Sequence, residues 1–294
     1  MSPSGSGGRR ASRAACATAL IALATVSALG PLRAHAADAP PSSSDRLAAS
    51  INGSTLNDTN GGSLGGGGGA ALGWLHNFTP DALLGLGGEY QTIAAAHWAF
   101  GSLSGAYSGG SPDARWTLSA EAHLGSGNEG TTGPPSALIS HPFNYAVEAI
   151  TATETLARKF SMQLETRQFD VYTTHGNLPK VGLAFLPDAH WMLGVSYAHS
   201  FGGNLDTVLT SGRIDHYSPV VNMFAGVASG HAAPAVANII TGQLGPAPRY
   251  REGYVGLSKS FHRTEWTVTG DYLKIGSVVR WTATLACIVH LGRI

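Results

Sequence analysis

What most restricts this chain is a two-residue rhythm that returns along most of its length. Trp116, Leu118, Ala120, Ala122 and Leu124 alternate with Thr117, Ser119, Glu121 and His123. Leu84, Leu86, Gly88 and Tyr90 alternate with Gly85, Gly87, Glu89 and Gln91, and Trp191, Leu193, Val195 and Tyr197 with Met192, Gly194, Ser196 and Ala198. The same order recurs over 266–272 and 281–291. Successive side chains of a strand point to opposite faces, so each segment carries one apolar face and one small or polar face. Helical periodicity is poor, and no stretch beyond the N-terminal region offers the ~20 apolar residues of a spanning helix.

Three details carry the pattern beyond an ordinary sheet. The segments run to roughly 9–12 residues, the length of a tilted membrane-spanning strand, against the ~5–6 usual in soluble domains. Aromatic residues mark the ends of the apolar faces: Trp116, Trp191, Trp266 and Trp281 begin them, and Tyr90, Tyr197 and Tyr272 close them. Girdles of this kind sit at the two membrane–water interfaces. The opposite face carries Glu, Arg, His, Thr and Gly, which a wet lumen accepts and a dry sandwich core rejects. An apolar sheet face needs a non-aqueous neighbour, and no amphipathic helix is available to supply one. Lipid can, provided every backbone group is paired, and that requires closure. The expected fold is therefore all-β, a closed antiparallel transmembrane β-barrel of about 12–14 strands. A secreted β-sandwich or lectin-like domain is the competing architecture.

Composition agrees. Charged residues are 12% of the chain, about half the ~25% of an ordinary soluble domain, which argues against a nucleic-acid partner. Residues 1–36 read as an export signal: Arg9, Arg10 and Arg13, then an Ala-rich apolar run, then Ala34-His35-Ala36 as a cleavage site. Residues 37–45 read as a disordered leader and 46–294 as the barrel. Removing 1–36 takes away four of the basic residues and no acidic one, leaving 14 basic against 18 acidic. It also leaves Cys287 as the only cysteine, so no intrachain disulfide is available.

Short turns are expected at 79–81, 110–113, 157–159, 187–189, 217–219 and 262–264, and longer connections near 57–69, 125–142, 173–179, 229–249 and 274–279. The run Gly65–Gly69 lacks a following Lys-Ser/Thr and reads as a flexible loop, not a phosphate cradle. The stretch from Tyr254 to Phe261, a tight turn and then Trp266-Thr-Val-Thr-Gly-Asp-Tyr272 resemble the closing hairpins of YaiO-type barrels among the Gram-negative outer-membrane proteins. That resemblance implies an outer-membrane location, contact with lipid and lipopolysaccharide, and insertion by the barrel-assembly machinery. The chain departs from it at its end, Leu291-Gly-Arg-Ile294, where an aromatic residue is usual.

By alternation Glu89, Glu121, His123, Glu148, Glu165, Arg167, Asp271 and Arg280 are expected to turn inward. They could form a charged constriction that screens solutes or a salt-bridged network that merely fills the lumen; Glu121 with His123 could also serve catalysis. His199 and Ser200 are neighbours on one strand and so cannot readily share a proton. The histidines are scattered without a His-x-His or His-x₃-His cluster, and no metal or other cofactor is expected. The expected function is a passive channel or export-assisting barrel for polar solutes or glycans. A structural barrel presenting loops 125–142 and 229–249 to partners, or an outer-membrane hydrolase, are the alternatives.

Overall fold

The computed structural model describes residues 45–93, 96–111, 114–129, 141–157, 159–171, 174–231 and 249–291. The expected export signal, residues 1–36, and the leader 37–44 lie outside these residues, as do 130–140 and 232–248. The first seven strands are β1 (Asp45–Asp58), β2 (Gly62–Thr79), β3 (Ala82–Ile93), β4 (Ala96–Gly109), β5 (Trp116–Glu129), β6 (His141–Ala157) and β7 (Phe160–Val171). They are followed by β8 (Thr174–Phe185), β9 (Trp191–His199), β10 (Val208–His216), β11 (Asn222–His231), β12 (Arg249–Phe261), β13 (Thr264–Ile275) and β14 (Val278–Leu291). Each pairs antiparallel with its neighbours in the chain, and β1 pairs with β14, so the sheet closes into a barrel of 14 strands. The closing register sets Ile51 opposite Leu285 and Asp45 opposite Leu291. Closure removes the free edge strands, the condition under which a sheet is stable in hydrocarbon. At the loop end of β8 the β9 ladder gives way to a single bridge from Asn177 to Phe201.

The connections β2–β3, β4–β5, β6–β7, β8–β9, β10–β11 and β12–β13 gather at one end with both ends of the described barrel. This is the turn end; the other is the loop end. The expected contrast in length holds only in part. The strands flanking 130–140 and 232–248 end at the loop end, where the longer segment 200–207 also lies, but β1–β2 and β13–β14 are joined there by tight turns at 59–61 and 276–277, and only two residues separate β7 from β8. The stretches 57–69, 173–179 and 274–279 therefore lie mostly in strands. In particular, Gly65–Gly69 is not a loop but part of β2, paired with β1 on one side and, from Gly67, with β3 on the other. The missing side chains have a use there. Gln91 of β3 fills the space where a Cβ of Gly69 would stand.

The outer face is largely apolar, interrupted on β6 and β7 by Glu148, Gln168 and Asp170. Ile51, Leu72, Ile150, Val195, Val227 and Val255 are each more than half exposed, a surface that calls for a non-aqueous neighbour. Trp116, Trp191 and Trp266 point outward near the turn end. Tyr90 and Tyr197 point outward toward the loop end, as do Tyr272 and Trp281, whose rings meet at 4.8 Å. Strands of 9 to 18 residues can span the apolar band of about 25 Å that outer-membrane barrels present.

Candidate functional site

The inward faces change character along the barrel axis, and single strands show the order. On β7, read from the loop end, the inward residues are Val171 and Phe169, then Arg167 and Glu165, then Gln163 and Ser161. On β13 they are Ile275 and Leu273, then Asp271, then Thr269 and Thr267. On these strands the lumen has an apolar tier at the loop end, a charged belt below it, and small and hydroxyl side chains at the turn end. On β10 and β11 the order differs, with Arg213, Asp215 and Phe224 near the turn end.

The apolar tier is one contiguous buried cluster that includes Leu56, Trp98, Phe143, Leu178, Leu205 and Tyr250. Glycine makes room for its aromatic part. Gly125 faces Phe100 and Tyr145 across the two neighbouring strands, and Gly127 faces Trp98 and Phe143. The Phe100 and Tyr145 rings stack at 5.1 Å with planes 12° apart. A Cβ on Gly127 would stand 2.5 Å from Trp98 Cβ and 2.6 Å from Phe143 Cζ, closer than atoms in a packed interior approach.

The belt is built from strand neighbours. Arg167 donates to Glu165 on the same face, and Lys180 Nζ reaches Glu165 Oε2 from β8 at 3.3 Å. Arg167 also approaches Glu121 Oε1 at 3.7 Å, and His123 Nε2 lies 3.8 Å from Glu121 Oε2. Gln91 Nε2 donates to Glu89 Oε1 at 2.6 Å. On the opposite wall Arg213 holds Asp215 through both carboxylate oxygens, at 2.6–3.0 Å. Arg280, 2% exposed, donates to Asp271 Oδ1 at 3.1 Å, and the Tyr250 hydroxyl donates to Glu252 Oε2 at 2.5 Å.

Glu89, Glu121, His123, Glu165, Arg167, Asp271 and Arg280 therefore all face the lumen. Glu148 does not, and that expectation is corrected. It is exposed on the outer face beside Ile150, opposite Ala122 and Gln168. Phe143, Tyr145 and Val147 form an apolar side of β6, and Glu148 stands on the other side. The register sets Val147 opposite the inward His123 and Ala149 opposite the inward Glu121, so these residues line the lumen and Glu148 turns out. Lys180, Arg213, Asp215 and Glu252 belong to the belt and were not singled out from the sequence. The alternation of Gly212, Ile214 and His216 with Arg213 and Asp215 was the available signal.

The lumen offers no hydrolytic arrangement among the described residues. His199 faces outward beside the Tyr197 hydroxyl at 3.3 Å, whereas Ser200 is buried and accepts the Thr207 N–H at 2.8 Å. Ser102 stands opposite His123, but no hydrogen bond joins them, and a nucleophile needs its base within such reach. No group of three or more His, Cys, Asp or Glu residues could hold a metal ion among the described residues. A surface cavity of about 360 Å³ opens where Gln168 and Asp170 of β7 and His175 and Asn177 of β8 meet Gly203.

No family model matches the sequence, and no curated protein does. Solved structures match the fold. A structure described as the CymD monoaromatic hydrocarbon channel superposes with a TM-score of 0.61 at 10% identity, covering 85% of this chain and 89% of that one. The Pseudomonas putida toluene transporter TodX gives a TM-score of 0.56 at 9% identity, with 85% and 90% covered. A Pseudomonas aeruginosa FadL homologue gives 0.53 at 8% identity, with 84% and 90% covered. At such identities the likeness establishes a shared barrel fold.

Proposed function

We propose that this chain is an outer-membrane channel through which small solutes with an apolar, often aromatic, body diffuse passively. The observation that carries the reading is the apolar tier at the loop end of the lumen, with Trp98, Phe100, Phe143, Tyr145 and Phe169 turned inward. A barrel interior need only be polar to hold water. Aromatic residues placed there supply contact surface for solutes of their own kind. The barrels that superpose on this one are described as hydrocarbon and toluene channels, which supports the same cargo class. The outer membrane is the bilayer in which closed β-barrels of this girdled type reside, with lipid and lipopolysaccharide as neighbours and the barrel-assembly machinery as the route of insertion. The YaiO-type likeness rests on residues 254–272 alone and points to the same membrane.

A second reading, passage of polar solutes or glycans, is favoured by the charged belt and by the hydroxyl-lined turn-end half. Liposome swelling with solutes that do not cross lipid unaided separates the two. The proposal expects phenylalanine to enter faster than the smaller asparagine. Faster entry of asparagine and of a pentose supports the polar reading. No entry of any solute, with no conductance in planar bilayers, ends the channel reading and leaves a structural or surface-interaction role.

A further inference from the structure

The charges of the belt do not cancel, and the surplus has a fixed place. Glu121 and Glu165 face Arg167 and Lys180. Asp215 is held by Arg213, and Asp271 by Arg280. Glu265, nearer the turn end, takes its hydrogen bond from Ser258 Oγ at 3.1 Å and has Arg46 as its neighbouring charge. Within the belt two carboxylates remain, Glu89 on β3 and Glu252 on β12. Each is hydrogen-bonded only by a neutral donor, Gln91 and Tyr250 respectively. Among the described residues neither has an ammonium or guanidinium within ion-pair distance. Arg280 lies in the same wall as Glu252 but is committed to Asp271 at 3.1 Å. A carboxylate kept away from bulk water without a counter-ion is costly, and the cost falls when a cation arrives.

Both surplus carboxylates stand where the apolar tier begins. Glu89 is the direct cross-strand partner of Phe100, whose ring stacks on Tyr145 and meets His123 edge-on at 5.5 Å. Glu252 lies opposite Leu273 and beside the buried Tyr250. At both places a negative charge adjoins an apolar wall containing an aromatic ring. An organic cation fits that pairing: its ammonium meets the carboxylate and the ring faces, while its hydrocarbon body lies against the tier above. An anion of the same shape is repelled there, and the cations of the belt are already paired.

We infer that the lumen selects organic cations, substituted ammonium ions with an aromatic or aliphatic body, through Glu89 and Glu252. This rests on the channel reading above and adds to it the sign of the charge and the two residues that set it. The test is the reversal potential of the reconstituted protein across planar bilayers. One gradient is of benzyltrimethylammonium chloride and the other of sodium benzenesulfonate. Both organic ions keep their charge at every working pH and neither crosses lipid unaided.

The expected result is benzyltrimethylammonium passing at least about fivefold more readily than benzenesulfonate, the scale of one modest charge interaction per solute. The double variant Glu89→Gln with Glu252→Gln brings the ratio close to unity, and Glu89→Asp with Glu252→Asp keeps it. A conducting wild-type protein with a ratio near or below unity overturns the inference and leaves the channel standing. So does a double Gln variant that conducts with the wild-type ratio. A protein that conducts neither ion overturns both.

Discussion

The loop-end and turn-end halves of this lumen are built on the same strands with the same alternation, yet they are different interiors. At the loop end the inward positions of β4 and β6 hold Trp98, Phe100, Phe143 and Tyr145, which bury one another across the glycines of β5. At the turn end the same strands turn Ser102, Ser104 and Ala106, or Thr151 and Thr153, into the barrel. The first half is held by packing, and the second by the backbone ladder with scattered side-chain hydrogen bonds such as Ser258 to Glu265 at 3.1 Å. Period-2 alternation tells which residues share a face. It does not tell whether the inner face is wet, because a lumen can be filled with side chains at one level and open at the next.

The largest expected effect comes from opening the packed half. Trp98→Ala removes a buried ring and should cost about 3–5 kcal/mol of folding stability. Ser104→Ala, on the same face nearer the turn end, should change stability by less than about 0.5 kcal/mol. Denaturant unfolding in lipid vesicles, read by the heat-sensitive mobility of the folded barrel, measures both. Equal losses would dissolve the distinction between the halves.

A smaller effect should follow from filling space. At Gly127→Val the new side chain collides with Trp98 and Phe143, and overpacking of this kind costs about 1–3 kcal/mol. At Gly194, inward on β9 near the turn end, a Cβ would meet nothing closer than 3.9 Å. Gly194→Val should therefore be neutral within about 0.5 kcal/mol, and the strand propensity of valine works in its favour. Comparing the two by the same unfolding assay sharpens the contrast at constant chemistry.

Much of this was readable from residues alone, and the failures have physical causes. Strands opening on Trp116, Trp191 and Trp266 announced themselves because their apolar and polar faces differ strongly. On β6 both faces mix apolar and polar residues, Phe143, Tyr145 and Val147 against Ala146, Glu148 and Ile150. The sense of the strand was then decided by its neighbour, through the pairing of Val147 with His123. Gly65–Gly69 carries no side chain and so no alternation, and the ladders with β1 and β3 make it a strand. Among the inward charges, the pairing that leaves Glu89 and Glu252 without a cation depends on cross-strand neighbours far apart in sequence. That information belongs to the register, which a single strand cannot show.

The central claim is that a closed sheet turns one side to lipid and the other to an enclosed, polar-to-apolar lumen. Nitroxide scanning of β9 in reconstituted bilayers tests it most directly, with Cys287 first replaced by Ala and single cysteines placed at successive positions from Met192 to Ala198. The account predicts a strict two-residue alternation. Leu193, Val195 and Tyr197 should be relaxed by oxygen dissolved in the bilayer, and Gly194 and Ser196 by a water-soluble nickel complex. Uniform access of the nickel complex to all these positions would contradict it.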